Sequence, residues 1–142
     1  MKISTKGRYA LRMLIDLAEH QKEGYVALKD IAQRQDISKK YLEQIVPLLN
    51  REGMLKTNRG FQGGYMLSQP PEKYTNADIL RLTEGSLSPM DPSEISQIGG
   101  GESAMLPIWQ ELDRIINDYL DSVTLQDILE RLQEQYANDY VI

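Results

Sequence analysis

The sequence predicts a mainly α-helical fold with one small β-hairpin. Apolar residues recur every three to four positions over most of the chain, which is typical of amphipathic helices. Two short strand-like runs, MLKTN and GYMLSQ, flank the stretch RGFQG at residues 59–63, and this order favours a hairpin. A long amphipathic stretch comes later, after a segment rich in Ser, Pro and Gly. At 142 residues the chain is long enough for one modest domain with an appended helical arm.

Three helices are predicted before the hairpin. The first covers residues 8–20, where apolar positions form one wide face. ALKDIAQRQ follows as a short helix, DIS as a tight connection, and KKYLEQIVPLLNREG as a longer helix. Ser38 suits the N-cap of the longer helix because its hydroxyl accepts from free first-turn amides, and Gly53 suits its end. Pro47 lacks an amide hydrogen and is expected to bend this helix beyond its first turns.

A helix-turn-helix pattern is formed by the helix ALKDIAQRQ, the three-residue connection DIS and the longer helix that follows. Taken alone, this segment fits an ordinary helical hairpin equally well. The β-hairpin that follows favours a winged helix-turn-helix, in which Gly60, Gly63 and Gly64 permit positive φ and a close approach to phosphates. Arg59 then projects as a cation suited to a narrow minor groove. Gly-rich hairpin tips also occur for turn geometry alone, so the joint pattern carries the interpretation.

The rest of the chain predicts a helical dimerisation arm. Thr75 and Gly85 bound a helix, and residues 86–103 have no sustained period, which indicates a flexible loop. A helix from about Pro107 to Ser122 is expected to pair with its copy or to dock on the first helix, or both. Thr124 begins a T-x-x-D capping box, which predicts a final short helix. The residues expected in the dimer contact are Ile108, Leu112, Ile115, Ile116, Tyr119 and Val123.

We therefore expect three parts. Residues 1–85 form a DNA-binding domain, residues 86–103 a flexible loop, and residues 104–142 a dimerisation helix with a C-terminal helix and tail.

Charge is distributed unevenly along the chain. The net charge is −5, but residues 1–84 carry 14 Lys and Arg against 10 Asp and Glu, a balance of +4. Residues 85–142 carry 2 Lys and Arg against 11 Asp and Glu, a balance of −9. The first part can therefore meet a polyanion while the second stays in solvent or contacts protein.

Composition also excludes several kinds of site. The chain has no Cys and one His, so disulfides, thiolate metal sites and Cys-ligated iron-sulfur clusters are excluded, and an enzyme is improbable. His20 is expected at the end of the first helix, where the helix dipole favours it. No apolar run approaches the roughly 20 residues of a membrane span, and the N-terminus is unlike a signal peptide, so we expect a cytoplasmic protein.

Several segments together resemble the Rrf family of bacterial winged-helix regulators. These are MKISTKGRYALRMLIDLA, DIAQRQDISKKYLEQIVPLL, RGFQGGYML and ADILRLTEG, in register from Met1 to about Gly85. The resemblance implies a homodimeric repressor that binds palindromic operator DNA, with the helix after Ser38 in the major groove and the wing in the minor groove. The DNA-binding residues that it implies are Ser38, Lys39, Lys40, Tyr41, Glu43, Gln44, Arg51, Lys56, Arg59, Gly60, Gly63 and Gly64.

Side-chain chemistry is compatible with these roles. Gln44 can pair with adenine through two hydrogen bonds and Glu43 can accept from the cytosine amino group, each pair giving about 1–3 kcal/mol of discrimination. The basic side chains fit phosphate contacts better than base readout.

Within the resemblance, the chain differs from members that bind an iron-sulfur cluster through three Cys in the loop that here covers residues 86–103. It is most similar to cluster-free members that repress cysteine-metabolism genes, which implies control through a complex with O-acetylserine sulfhydrylase. The ending DYVI resembles the tail of serine acetyltransferase, so Tyr140, Val141 and Ile142 are candidates for that contact, with a terminal carboxylate suited to backbone amides. The tail can instead fray or pack on the dimer.

Two other functions stay open at this stage. One is a module that binds a metabolic enzyme without specific DNA binding. The other is a cluster-free regulator of the same family with a different effector.

Overall fold

The computed structural model describes residues 1–61 and 63–140. Strands β1 (Leu55–Asn58) and β2 (Gly64–Leu67) form an antiparallel hairpin in which Leu55 is opposite Leu67. Short 3-10 turns lie at Gln21–Glu23, Pro71–Lys73 and Gly100–Met105. This arrangement confirms the predicted mainly helical fold with a small wing. The helices are α1 (Thr5–Glu19), α2 (Leu28–Gln35), α3 (Lys39–Arg51), α4 (Asn76–Glu84), α5 (Pro92–Ile95), α6 (Leu106–Ser122) and α7 (Leu125–Tyr140).

Helix α1 lies at the centre of the core and contacts α2, α3, α4, α7 and β2. Its apolar face buries Met13, Leu14 and Leu17 almost completely, and burial of each such side chain stabilises the fold by about 1.5–3 kcal/mol. Helix α3 adds its own apolar stripe to the same core, at Leu42, Ile45, Val46 and Leu49. The residues between these positions therefore remain on the outer face of α3.

The turn between α2 and α3 fixes the angle of the helix pair. Asp36 adopts the left-handed region with φ of 52°, a conformation that Asp tolerates better than most side chains. Ile37 is buried directly after it and donates its amide to the carbonyl of Ala32 at 3.1 Å. Ser38 then caps α3, accepting from the Tyr41 amide at 3.1 Å, as the sequence predicts.

Local capping signals at the later helices are also confirmed. The Thr75 hydroxyl accepts from the Asp78 amide at 3.0 Å at the start of α4. Thr124 and Asp127 form a reciprocal capping box, with backbone-to-side-chain distances of 3.0 and 3.1 Å. The helix that follows, α7, is 16 residues long and so exceeds the short helix that was predicted.

Helix α7 belongs to the core of the N-terminal part. Leu125 and Leu129 are buried in the same cluster as α1 and α3. Backbone bonds join the two regions, since the amide of Asn76 donates to the Val123 carbonyl and that of Leu125 to the Tyr74 carbonyl, at 2.8 and 2.9 Å. Residues 104–142, predicted as the third part of the chain, therefore contribute α7 to the core built by residues 1–85.

The predicted flexible loop at residues 86–103 contains α5 and most of a 3-10 turn. Leu87 is buried there against Ala77 and Leu80 of α4. No helix among the described residues combines the length and apolarity needed to cross a membrane.

Candidate nucleic-acid interface

The outer face of α3 presents polar side chains to solvent. Lys39, Lys40, Glu43 and Gln44 are exposed in its first two turns, and Ser38 is exposed at its cap. This face is free because the apolar stripe of α3 points the other way, into the core. A helix with an exposed polar N-terminal half next to a hairpin has the shape that enters a major groove.

Tyr41, which the sequence analysis placed among the DNA-binding residues, packs against the body of the protein. It is half-buried, and its ring meets the ring of Tyr9 on α1 edge to face, with centroids 5.2 Å apart. The Arg12 guanidinium lies 5.3 Å from the centroid of the same Tyr9 ring. This stack contributes about 0.5–1.5 kcal/mol beyond simple burial and holds α3 against α1.

Helix α3 continues through Pro47 to Arg51. Because Pro47 has no amide hydrogen, the carbonyl of Glu43 receives no helical hydrogen bond from that position. Pro47 is exposed, so its ring lies on the outer face of the helix. The bend expected at Pro47 stays a prediction.

The wing projects beside this helix. Arg59 is exposed immediately after β1, and Lys56 and Arg51 are exposed on the adjoining strand and helix end. None of the five basic candidates, Lys39, Lys40, Arg51, Lys56 and Arg59, has an ion-pair partner among the residues that the structure describes. Cations without internal partners are available to phosphate oxygens.

The wing glycines have two different functions. Gly60 has φ of 117°, which agrees with the expected use of positive φ. Gly63 and Gly64 do not have positive φ. Glycine is required at these two positions because a side chain has no room there. A Cβ on Gly63 would lie 2.5 Å from the Asn58 carbonyl oxygen, and one on Gly64 would lie 2.3 Å from that of Val26.

Gly64 joins the wing to the body of the protein. The neighbouring Tyr65 exchanges two backbone hydrogen bonds with Val26, of 2.8 and 2.9 Å. Gly64→Ala is expected to lower the free energy of unfolding by about 1–3 kcal/mol, because the backbones must separate. Urea denaturation measures this, with Gly99→Ala as control, since Gly99 is extended and has open space at its Cβ. Equal effects of the two substitutions would contradict the account.

A cleft of about 420 Å³ separates α3 from the wing. Glu43, Pro47 and Asn50 line one wall, at the spacing of one helix face, and Thr57 and Arg59 line the other. The Thr57 hydroxyl donates to the Asn50 side chain at 3.4 Å. Asn50 and Thr57 were not singled out from the sequence, although the spacing of Asn50 from Glu43 indicates its face.

Phe61 is a further residue to which the sequence analysis gave no role. It lies at the tip of the wing, and 97% of it is exposed. Its position inside RGFQG was the signal that could have identified it.

One face of α6 is apolar and exposed. Ile108, Leu112, Ile115 and Tyr119 are 52%, 37%, 50% and 58% exposed, and their spacing places them on a single side of the helix. On another side of the same helix, Arg114 pairs with Glu111 and Asp118. These four apolar residues are here called the α6 face.

Two other residues expected in the dimer contact lie elsewhere. Val123 is buried in its own chain, because the chain turns inward there to start α7. Ile116 packs on the cluster of Ala77, Leu80 and Leu87. The side of α6 that carries Ile116 docks on α4. Val141, Ile142 and the side chain of Tyr140, the expected partner contact, lie outside the described residues.

A sequence profile described as Rrf2, iron-dependent transcriptional regulator, matches residues 3–131. The chain belongs to the Rrf2 family. Among Rrf2 relatives, the transcriptional regulator CymR of Bacillus subtilis is 42% identical over 128 residues, covering 90% of this chain and 89% of that protein. The regulator IscR of Erwinia tasmaniensis is 32% identical over 130 residues, covering 91% of this chain and 79% of its own.

Solved structures of Rrf2 proteins match the fold as well. CymR, the global cysteine regulator of B. subtilis, superposes with a TM-score of 0.81 at 40% identity, over 92% of this chain and 98% of that one. IscR of T. potens superposes with a TM-score of 0.76 at 37% identity, over 95% of this chain and 90% of that one. This Rrf2 protein is thus a transcriptional regulator with a winged-helix fold, and its relatives are regulators, not enzymes.

Proposed function

We propose that this protein is a homodimeric repressor that binds palindromic operator DNA through α3 and the wing. The observation that carries the proposal is the cleft between them, with polar α3 side chains on one wall and Arg59 on the other. In such an arrangement α3 occupies the major groove, the wing reaches the neighbouring minor groove, and the phosphate backbone passes between.

Sequence readout in this proposal depends on Glu43 and Gln44, which are exposed on the outer face of α3. Gln44 pairs with adenine and Glu43 accepts from cytosine. Ser38, Lys39, Lys40, Arg51 and Lys56 contact phosphates and set the register, while Tyr41 positions α3 through Tyr9. Gly60, Gly63 and Gly64 shape the wing that carries Arg59.

The α6 face supports dimerisation. Four large apolar side chains exposed on one helix face form an apolar patch that is typical of an interaction surface. A second copy of α6 matches it, because a two-fold contact pairs the same patch with itself. The acidic second half of the chain then lies away from the DNA, while α2, α3 and the wing face it.

We further propose that this regulator uses no iron-sulfur cluster, although the family description names iron. Thiolate ligation of iron requires Cys, and the chain has none. Among residues 1–61 and 63–140, no three His, Asp or Glu side chains are grouped so as to hold a metal ion.

Control of cysteine and sulfur genes is the proposed biological role. It is supported by likeness to CymR, whose structure is described as that of a global cysteine regulator. In this proposal the tail residues Tyr140, Val141 and Ile142 bind O-acetylserine sulfhydrylase. Deleting them should abolish that complex, and unchanged binding of the sulfhydrylase by the truncated chain would contradict it.

The test is to incubate the purified protein with sheared genomic DNA of its host at moderate salt and to sequence the retained fragments. Enriched palindromes upstream of cysteine and sulfur-uptake genes would support the full proposal. Palindromes elsewhere would support the DNA-binding mechanism and refute the sulfur role. No enrichment would refute operator binding and favour a module that binds an enzyme alone.

A further inference from the structure

Phe61 is exposed to an unusual degree for its type. It is the single Phe of the chain, and 97% of it is accessible to solvent, whereas the other large exposed apolar residues described are 37–58% exposed. Scattered apolar residues on a surface are common. Phe61, however, stands at the tip of the element that carries Arg59, so it would be the leading apolar group wherever the wing enters a groove.

The backbone of the tip holds this side chain outward. Gly60 takes φ of 117°, and the Gly63 amide donates to the Gly60 carbonyl at 2.9 Å. The Cβ position of Gly63 is closed off by the Asn58 and Gly60 carbonyls. This tight turn leaves Phe61 projecting beyond the strands, with no apolar cluster of the described residues to receive it.

Charge indicates which side of the wing meets a polyanion. Behind the wing, Phe61 borders a cleft of about 590 Å³ that is also lined by the carboxylates of Glu23 and Asp30. Those groups repel phosphates at short range. On the α3 side, the wing presents Arg59. A duplex is therefore directed to the tip and the α3 side, away from the acidic cleft.

We infer that Phe61 inserts into the minor groove as an apolar wedge, stacks on a partly unstacked base step and kinks the operator. The inference rests on the proposed function, since it needs the wing in the minor groove. Apolar side chains inserted between base steps typically kink DNA by about 20–90°. The wedge would favour flexible pyrimidine–purine steps at the wing position, so Phe61 would add sequence preference without hydrogen bonds.

The experiment uses the full-length protein and a duplex that the wild-type protein enriches from a random-sequence library. Binding is measured by fluorescence anisotropy at about 50 and 200 mM salt, a range in which phosphate contacts weaken strongly. Bending is measured by energy transfer between dyes at the duplex ends. The variants are Phe61→Ala, Phe61→Leu, which keeps an apolar wedge, and Arg59→Ala, which removes a charge.

Phe61→Ala is expected to weaken binding at least about fivefold, the effect of removing one base-stacking side chain. It should relax the bend and leave the salt dependence unchanged. Phe61→Leu should keep most of the binding affinity and most of the bend. Arg59→Ala should instead make the salt dependence shallower, by about one unit of slope for each phosphate that the arginine neutralises.

A Phe61→Ala protein that binds and bends like the wild type would overturn the wedge while leaving operator binding by α3 and the wing intact. Loss of affinity with an unchanged bend would also overturn it. If the wild-type protein enriches no sequence, the proposed function and the wedge fail together.

Discussion

Replacing Arg34 with Met is expected to lower the free energy of unfolding by about 3 kcal/mol, as removal of one partner leaves a buried charge uncompensated. The Asp16 side chain on α1 is 1% exposed. Arg34 on α2 donates to both of its oxygens, at 3.0 and 2.7 Å. The hydrogen bond to Asp16 also raises the pKa of Arg34 above its ordinary value.

The expected loss is at the low end for a buried ion pair because Gln35 also donates to Asp16, at 3.0 Å, and Arg34 is itself 36% exposed. Chemical denaturation measures it, with Lys29→Met on the exposed side of the same helix as the matched control. The double variant Asp16→Leu, Arg34→Met should recover part of the loss, since a well-packed apolar pair often replaces a buried ion pair without cost. If the free energy of unfolding of the Arg34→Met protein is within about 0.5 kcal/mol of the wild-type value, the stabilising role of Arg34 is contradicted.

Ile115→Glu is expected to make the protein monomeric and to weaken operator binding by about 100- to 10,000-fold, because two linked half-site contacts become independent. Ile115 is 50% exposed on the α6 face, so the substitution buries nothing new in the single chain. In the proposed dimer, however, it would place paired carboxylates in an apolar contact.

Gln110→Glu is the matched control, since it adds the same charge to the opposite side of α6. Light scattering reports the oligomeric state, thermal unfolding reports the fold, and anisotropy reports DNA binding. A dimeric Ile115→Glu protein with wild-type affinity would show that the α6 face is not the contact.

Features set by neighbouring residues could be predicted from the sequence. The caps at Ser38, Thr75 and Thr124 follow from one side chain and the amides of the next turn. The hairpin follows from two short apolar runs around a Gly-rich tip, and the α6 face from its spacing.

Features set by contacts between distant segments could not be predicted in this way. Val123 and Ile116 fit the same helical period as the α6 face, and only the docking of α6 on α4 separates them. The role of Gly64 depends on Val26, which lies 38 positions earlier and meets it only in the folded chain. Likewise, the half-burial of Tyr41 depends on Tyr9 of α1.

The central claim is that α3 reads bases, and base discrimination by a Gln44 variant tests it most directly. Wild-type and Gln44→Ala proteins are titrated against the selected operator and against variants with one base pair changed in each half-site. The account predicts one position at which the wild type discriminates by about 1–3 kcal/mol and the Gln44→Ala protein does not. If Gln44→Ala discriminates like the wild type at every position, Gln44 reads no base and the readout assigned to this face of α3 is contradicted at Gln44.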